Sequence, residues 1–164
     1  MVDFAEPFRT EIKPADAVGI EQLVLATGVF SPAETGIARE LVEENLTRGE
    51  AASGYRFIIA DGPDGIEGYT CYGPIPGTDR RYELYWIAVS REARGRGLAG
   101  RLMQATENAV RKVGGAWLFA ETSTREEYTP ARLFYISQGY RQIAEIPDWH
   151  ADGDGLAVYG KKLE

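Results

Sequence analysis

Cysteine and histidine are almost absent from this chain of 164 residues, which contains one of each. The single cysteine, Cys71, excludes an internal disulfide framework and a cysteine-rich zinc site, and it favours a reducing compartment. The single histidine, His150, falls in a predicted loop, so neither a metal site nor a Ser-His-Asp triad has support. We therefore expect no bound metal.

Long apolar runs and a basic leader are also missing. No apolar run approaches the ~20 residues that a membrane span needs. Acidic Asp3 and Glu6 occupy the N-terminal region where a signal peptide would be basic and then apolar. No repeat or low-complexity linker divides the chain. The sequence therefore predicts a single cytoplasmic domain over residues 1–164, with no membrane partner.

Positive charge is scarce overall but concentrated locally. The chain has 18 Lys and Arg against 25 Asp and Glu, a net charge of −7. This acidic balance argues against nucleic acid as the main partner. Residues 91–112, however, carry six basic and two acidic side chains. This segment could bind a small polyanion, while the acidic remainder suits a cationic amine.

The periodicity of apolar residues predicts an alternating order of strands and helices, β-α-α-β-β-β-α-β-α-β-β, around one mixed sheet. The predicted helices cover residues 14–28, 31–48, 97–113 and 130–138. The predicted strands cover residues 8–13, 55–60, 66–72, 82–89, 116–122, 140–146 and 156–161. A five-residue turn at 61–65 joins the second and third strands. This order is typical of an α+β domain.

A glycine- and arginine-rich loop, residues 89–100, joins a predicted strand to a predicted helix. Amides in the first turn of a helix have no intrahelical partner, and glycines let an anion approach the backbone, so the loop predicts a phosphate site. Gly95-x-Gly97-x-x-Gly100 matches a dinucleotide fingerprint, with Glu121 as the ribose-binding acid. Against this interpretation, several polar residues separate the fingerprint from its strand. Too little chain also follows for a second mononucleotide half.

Two motifs resemble the GNAT superfamily of acetyl-CoA-dependent N-acetyltransferases. The first is Arg94-x-x-Gly97-x-Ala99 between a strand and a long helix, and the second is Ala131-x-x-Phe134-Tyr135-x-x-x-Gly139-Tyr140. The resemblance covers essentially the whole chain. Pro147-Asp148-Trp149 and Gly153-Asp154-Gly155 further resemble the terminal hairpin of a small bacterial single-domain subgroup. The resemblance implies an α+β, GNAT-like fold with a central mixed, mostly antiparallel sheet flanked by about four helices.

The resemblance also implies acetyl-CoA as cosubstrate. Backbone groups at the end of the strand would hold the pantetheine arm and the thioester, and the glycine loop would hold the pyrophosphate. The implied cofactor contacts are Ile87, Ala88, Val89, Arg94, Gly95, Arg96, Gly97, Leu98, Ala99 and Gly100.

Tyr135 and Glu83 are the candidate catalytic residues. Tyr135 falls on the position where many family members place a tyrosine near the cofactor sulfur, although an aromatic there can equally be core. Glu83 lies eleven residues before Arg94, at the offset of the general-base glutamate of histone-acetylating members. A water chain reaching Glu121 or the Asp148 region is the alternative base. Cys71 could in principle carry an acetyl group, but a strand cysteine is more typical of core filler.

Aromatic residues and acids could line the acceptor site, since aromatic faces attract a cationic amine. The candidates are Phe30, Tyr55, Tyr72, Tyr85, Glu121, Tyr128 and Trp149. Tyr128 stands where other members often have asparagine. We expect acetyl transfer to the primary amine of a small molecule by direct attack in a ternary complex. A protein or peptide N-acetyltransferase and a noncatalytic acyl-CoA-binding module stay open, as does a homodimer.

Overall fold

The computed structural model describes residues 8–163, so Asp3 and Glu6 lie outside the described residues. The helices are α1 (Asp16–Ala26), α2 (Pro32–Ser53), α3 (Leu98–Lys112) and α4 (Thr129–Ser137). The strands are β1 (Arg56–Gly62), β2 (Gly65–Pro74), β3 (Arg81–Val89), β4 (Trp117–Ser123), β5 (Arg141–Ala151) and β6 (Asp154–Lys162). None of the helices described is both long and apolar enough to cross a membrane.

The six strands form one mixed sheet in the order β1-β2-β3-β4-β6-β5. Strands β3 and β4 run parallel, while β6 pairs antiparallel with both β4 and β5. Since α3 connects β3 to β4, it forms the crossover that a parallel pair requires. The predicted α+β fold with four helices around a mixed sheet is confirmed.

The first predicted strand is wrong. Over residues 8–13 only an isolated bridge forms, in which Arg9 and Ile59 exchange two backbone hydrogen bonds of 3.0 and 2.8 Å. The Arg9 guanidinium donates two bonds of 2.7 Å to Asp16, and the Lys13 amide donates another to the same carboxylate. These contacts turn the chain into α1 after one bridge, so no strand can continue.

Helix α2 begins at the predicted cap but ends later than expected. The Ser31 side chain accepts from the Glu34 amide, and Glu34 accepts from the Ser31 amide in return. This capping box satisfies two amides that the helix leaves free. The helix passes the predicted end at residue 48 through a kink at Gly49, whose φ of 79° is left-handed, and stops at Gly54.

The β1–β2 turn and the last hairpin also differ from the prediction. Strands β1 and β2 extend through Gly62 and Gly65, so the turn contains two residues rather than five. Strand β5 continues to Ala151, and His150, predicted in a loop, therefore lies in this strand. Its pairing with β6 is irregular, with register shifts between Gln142 and Ala144 and between Ile146 and Ala151.

The chain forms two compact units. The first contains residues 8–71 and 86–102, and helices α1 and α2 pack there over a core that includes Ile20, Val24, Val42 and Ile59, each fully buried. The second contains residues 72–85 and 103–163. The prediction that they act as one domain stays a prediction.

One face of the sheet in the second unit is packed against helices. Tyr159 of β6 contacts the Tyr135 ring of α4, with centroids 5.6 Å apart. Lys161, two residues along β6, donates to the Glu107 carboxylate of α3 at 3.0 Å. Because side chains alternate along a strand, both helices of this unit lie on the same side.

The opposite side, which we call the open face, carries a row of residues across four strands. Glu83 of β3 pairs with Phe119 of β4, Phe119 with Gly160 of β6, and Gly160 with Arg141 of β5. Paired residues of neighbouring strands point to the same face. The row therefore places a carboxylate at one end and a guanidinium at the other.

Candidate functional site

The glycine loop has the backbone geometry that its sequence predicts. After a short 3₁₀ turn capped by Ser90, Gly95 and Gly97 adopt φ values of 77° and 75°. Only glycine takes this left-handed conformation without strain. The Gly97 carbonyl accepts the Arg101 amide at 3.1 Å, so the helical bonding of α3 begins there. The first-turn amides after Gly97 consequently have no intrahelical acceptor.

The loop is open to an incoming anion. Residues Arg94 to Gly97 are all exposed, and a Cβ built on either Gly95 or Gly97 would meet nothing within 4 Å. Arg96 makes a solvent-exposed ion pair with Glu67 at 3.3 Å, which is weak enough to exchange for a phosphate. Free amides, a helix N-terminus and two arginines together fit a diphosphate group.

The end of β3 leads into this loop. Its parallel pairing with β4 runs from Arg81 and Trp117 to Leu84 and Ala120, four of the nine residues of β3. The predicted cofactor-binding residues beyond this stretch are half-buried at Ile87 and Val89 and buried at Ala88.

Glu83 is half-buried on the open face, and its acidity differs from that of an ordinary glutamate. Burial and, to a smaller extent, the nearby Glu121 carboxylate raise its pKa to about 7. Both effects disfavour the charged form of the side chain. At neutral pH such a carboxyl can accept or release a proton, which is the property that a general base needs.

Tyr135 lies on α4 and is 7% exposed. Its ring packs against those of Tyr159, at 5.6 Å between centroids, and Tyr140, at 6.1 Å. No residue from 8 to 163 makes a hydrogen bond to its hydroxyl. Burial raises the pKa of the phenol to about 12. The hydroxyl therefore stays protonated and is available to donate.

A buried ion-pair network fixes the ring beside Tyr135. The Tyr140 hydroxyl donates to Glu107 at 3.1 Å, and Glu107 is 2% exposed. Lys161 donates to both carboxylate oxygens of Glu107 and to the Gln138 carbonyl at the end of α4. Two elements, α3 and β6, therefore anchor the C-terminal end of α4.

The predicted acceptor residues differ widely in burial. Tyr72 and Tyr128 are buried, at 6% and 7% exposed, Tyr85 is half-buried, and Trp149 is 59% exposed. Arg125 lies over the Tyr128 ring. Phe30 belongs to the first unit, where it packs edge-on against Trp86 at 4.8 Å. The two predicted acids of the open face, Glu83 and Glu121, lie close together.

Cys71 is fully buried, and burial raises the pKa of its thiol. This agrees with its interpretation as core filler and leaves no exposed thiolate to carry an acetyl group.

Sequence reasoning missed an apolar set beside the acids. Trp117 and Phe119 precede Glu121 on the same face of β4, with their rings stacked at 5.5 Å and 6°. A Cβ on Gly160 would come within 2.9 Å of the Phe119 ring and 3.1 Å of Ile143. The alternation Trp-x-Phe-x-Glu over residues 117–121 could have predicted that these three side chains share a face of β4. The contribution of Ile143 could not be predicted in this way, because it depends on the long-range pairing of β5 with β6.

A profile of the acetyltransferase (GNAT) domain matches residues 53–142, more than half of the chain, including β3, the glycine loop, α3 and α4. The chain belongs to the GNAT family of acetyltransferases. The family suggested by the two sequence motifs is thus confirmed. No curated protein matches the chain in sequence.

Solved structures agree with this assignment of the GNAT acetyltransferase. A GNAT-family protein from Desulfovibrio desulfuricans is 39% identical, with a TM-score of 0.93 over 96% of this chain and 98% of that one. An aminoglycoside 6′-N-acetyltransferase complexed with coenzyme A is 16% identical, with a TM-score of 0.71 over 93% of each chain. The ribosomal-protein-S18-alanine N-acetyltransferase from Escherichia coli is 13% identical, with a TM-score of 0.73 over 96% and 94%. The last two share the fold alone.

Proposed function

We propose that this GNAT acetyltransferase transfers an acetyl group from acetyl-CoA to the primary amine of a small molecule, by direct attack in a ternary complex. The half-buried Glu83 beside Glu121 carries the proposal, because a carboxyl with a pKa of about 7 is suited to deprotonating an amine at neutral pH. The fold neighbour complexed with coenzyme A supports the cosubstrate, and its name, aminoglycoside 6′-N-acetyltransferase, supports a small-molecule amine as the substrate class.

The glycine loop holds the pyrophosphate of the cosubstrate. Amides from Arg94 to Gly100, including those of Gly95, Arg96, Gly97, Leu98 and Ala99, bind phosphate oxygens, and the two arginines add charge. Backbone groups of Ile87, Ala88 and Val89 hold the pantetheine arm and orient the thioester. The open loop and the two left-handed glycines support this assignment.

Glu83 serves as the general base. The ammonium of the acceptor is first attracted by Glu83 and Glu121, and one of its protons passes to the Glu83 carboxylate. The lone pair freed on the amine nitrogen then attacks the thioester carbonyl carbon. A new C–N bond forms, and the C–S bond then breaks with its electron pair on sulfur. The nitrogen gives up its second proton to the thiolate, so that the products are the neutral amide and the free thiol of CoA. Glu83 finally returns its proton to water.

Tyr135 acts on the thioester sulfur of acetyl-CoA as it leaves. Its hydroxyl donates toward the leaving thiolate and stabilises the charge that develops there. A free thiol has a pKa of about 8.5, below that of the buried phenol, so the hydrogen bond itself supplies most of the benefit. The tyrosine keeps the proton over the whole neutral range and is always ready to donate.

The aromatic residues Phe30, Tyr72, Tyr85, Tyr128 and Trp149 stay predictions as acceptor contacts. A cytoplasmic location, a homodimer and the absence of a metal also stay predictions.

An amine screen tests the proposal directly. The protein is mixed with acetyl-CoA and single primary amines, alkyl, aryl and aminoglycoside, together with peptides that have free N-termini. Released thiol is measured, and acetylated products are identified by mass. Turnover with small amines is expected, and it should require Glu83. Turnover with peptides alone would make the protein a peptide N-acetyltransferase. Binding of acetyl-CoA without any turnover would make it a noncatalytic module.

A further inference from the structure

The open face holds a continuous apolar surface that starts beside Glu83. Phe119 is the direct cross-strand neighbour of Glu83, and Gly160 follows on β6. Ile143, on β5, reaches over Gly160 toward the Phe119 ring, as the contacts of a Cβ built on Gly160 show. We call this surface the shelf; it comprises Trp117, Phe119, Ile143, Ile146, Val158 and Gly160.

Gly160 makes the shelf possible. A side chain there would collide with the Phe119 ring at 2.9 Å, so its absence lets Phe119 and Ile143 lie together across β6. Ile143 and Ile146 are 44% and 41% exposed, and Val158 is half-buried. An exposed face of an antiparallel pair normally carries polar side chains. These apolar groups therefore indicate a surface that binds something.

The charges at the two ends restrict what can lie on the shelf. Glu83 and Glu121 occupy the β3 side, where a cationic amine is favoured. Arg141 occupies the β5 end of the row, and it disfavours a second cation at that end. The row spans three strand spacings, about 14 Å, which is the length of a small organic molecule. One amine on an apolar body fits this pattern.

The size of the shelf argues for a small ligand rather than a second protein chain. Its three strands cover two strand spacings, about 10 Å, and about four residues along each strand, which gives on the order of 100 Å². A stable protein interface buries about 800 Å² on each partner. The shelf alone is thus too small for a dimer, but it is adequate for one face of a small molecule.

We propose that the shelf binds the body of the acceptor, so that the enzyme prefers a primary amine carried on an aliphatic or aromatic group over a polyhydroxylated or polycationic amine. This inference rests on the proposed function, because Glu83 defines the end where the amine lies. The apolar body lies across Phe119 and Gly160 toward Ile143, and water leaves these side chains when it binds.

A homologous series of unbranched alkylamines tests the proposal. The value of kcat/KM with acetyl-CoA is measured from propylamine to octylamine. We expect an increase of about twofold to fourfold per added methylene, through KM rather than kcat, until the chain passes Ile143. Hexylamine should exceed 1,6-diaminohexane, whose second ammonium would lie on the shelf. A flat series, or a preference for the diamine or for aminoglycosides, would overturn the proposal.

Two exposed isoleucines give a matched pair of variants. Ile143→Ser removes an apolar group from the shelf, and Ile136→Ser removes a 55% exposed one from α4, which packs on the other face. Ile143→Ser should lower kcat/KM for octylamine about tenfold and leave propylamine within twofold. Ile136→Ser should change neither. Equal effects of both variants on octylamine would show that the shelf does not select the acceptor.

Two further outcomes separate the competing explanations. If light scattering shows a dimer that Ile143→Ser dissociates while the alkylamine series keeps its slope, a second copy covers the shelf and the proposal is wrong. If the protein binds acetyl-CoA but acetylates no amine, the proposed function fails before the shelf is in question. If the enzyme acetylates amines but kcat/KM does not change with the length of the alkylamine, the proposed function stands and only the shelf proposal is wrong.

Discussion

Glu83 and Glu121 lie on the same face of two parallel strands, and Glu121 is two residues beyond Phe119, the partner of Glu83 in the register. The charge of Glu121 adds to the effect of burial and keeps the Glu83 carboxyl protonated up to about pH 7. Near neutral pH both forms of Glu83 are populated, and its ionised form together with Glu121 makes a site that can attract an ammonium ion and then deprotonate it.

Removing the Glu121 charge should shift the pH dependence of kcat to lower pH. In Glu121→Gln the neighbouring negative charge is gone, so the pKa of Glu83 falls from about 7 toward its usual value. The ascending limb of kcat measured at saturating amine should move down by up to about one pH unit. Glu126→Gln, which changes an exposed acid of the 3₁₀ turn before α4, is the control and should leave the limb in place. An unmoved limb in Glu121→Gln would mean that Glu83 is not the titrating base.

Glu83 should also make the stability of the protein depend on pH. Its folded-state pKa is raised, so its stabilising contribution is fully present below about pH 4.5 and is lost as the pH rises through about 7. After allowance for solvent screening, the loss is about 1 kcal/mol. Urea unfolding at pH 5 and pH 8 should show this decrease in the wild type and a smaller one in Glu83→Gln. Identical decreases would place Glu83 in a more solvated environment.

Tyr135→Phe should lower kcat about 100-fold with the KM for acetyl-CoA within twofold, because the hydroxyl acts only as the C–S bond breaks. Since the pKa of the phenol is about 12, the wild type should show no descending limb of kcat up to about pH 10. Tyr159→Phe is the control, because it keeps the ring that packs on Tyr135 and loses only a 3.4 Å contact with Gln142. Full turnover in Tyr135→Phe would show that the Tyr135 hydroxyl takes no part in breaking the C–S bond.

Gly97 and Gly77 make a matched pair, since both have a φ of 75° and open space around a built Cβ. Alanine at either position should destabilise the fold by about 1–2 kcal/mol through left-handed strain. Gly97→Ala should also weaken CoA binding about tenfold, measured by calorimetry, because it displaces the amides that hold phosphate. Gly77→Ala should bind CoA like the wild type. Equal losses of affinity in the two variants would place the pyrophosphate elsewhere.

Breaking the Glu107–Lys161 pair should destabilise the protein strongly. Glu107 is 2% exposed, and Lys161→Met leaves its charge buried with weaker compensation from Arg111 at 3.5 Å, at a cost of about 3 kcal/mol. The exposed pair of Arg39 and Glu43 is the comparison, and Glu43→Gln should change the stability far less, because solvent screens an exposed pair. Chemical denaturation measures both. A small effect of Lys161→Met would mean that Arg111 and the Tyr140 hydroxyl compensate the Glu107 charge without the lysine.

Local signals in the sequence predicted the family and most of the elements. The cap of α2 was readable because Ser31 and Glu34 are three residues apart, and the glycine loop because its glycines have a local conformational role. The first strand was mispredicted because a distant partner, Asp61, and the nearby Asp16 hold Arg9 and turn the chain. The end of β5 was missed because its apolar alternation stops at Pro147, whereas the hairpin pairing resumes beyond a bulge.

The candidate site was predictable only where its residues carry a local signal in the sequence. Glu83 was found from its offset to Arg94, but its raised pKa depends on β4, which lies beside it only after folding. The shelf depends on Phe119 and Ile143 meeting over Gly160, across strands that are distant in sequence. The register between such strands is set by the packing of whole sheet faces, and short sequence motifs do not reveal it.

Strand β5 lies at one edge of the sheet, and all eleven of its residues are exposed. Such a strand could template the addition of further strands and lead to aggregation. Pro147 offers no amide, Asp148 has a φ of 54°, and two register shifts bend the backbone. Regular hydrogen-bonding groups therefore run for only a few residues at a time. The irregular hairpin protects the protein from polymerising through its sheet while the apolar side chains of β5 remain accessible.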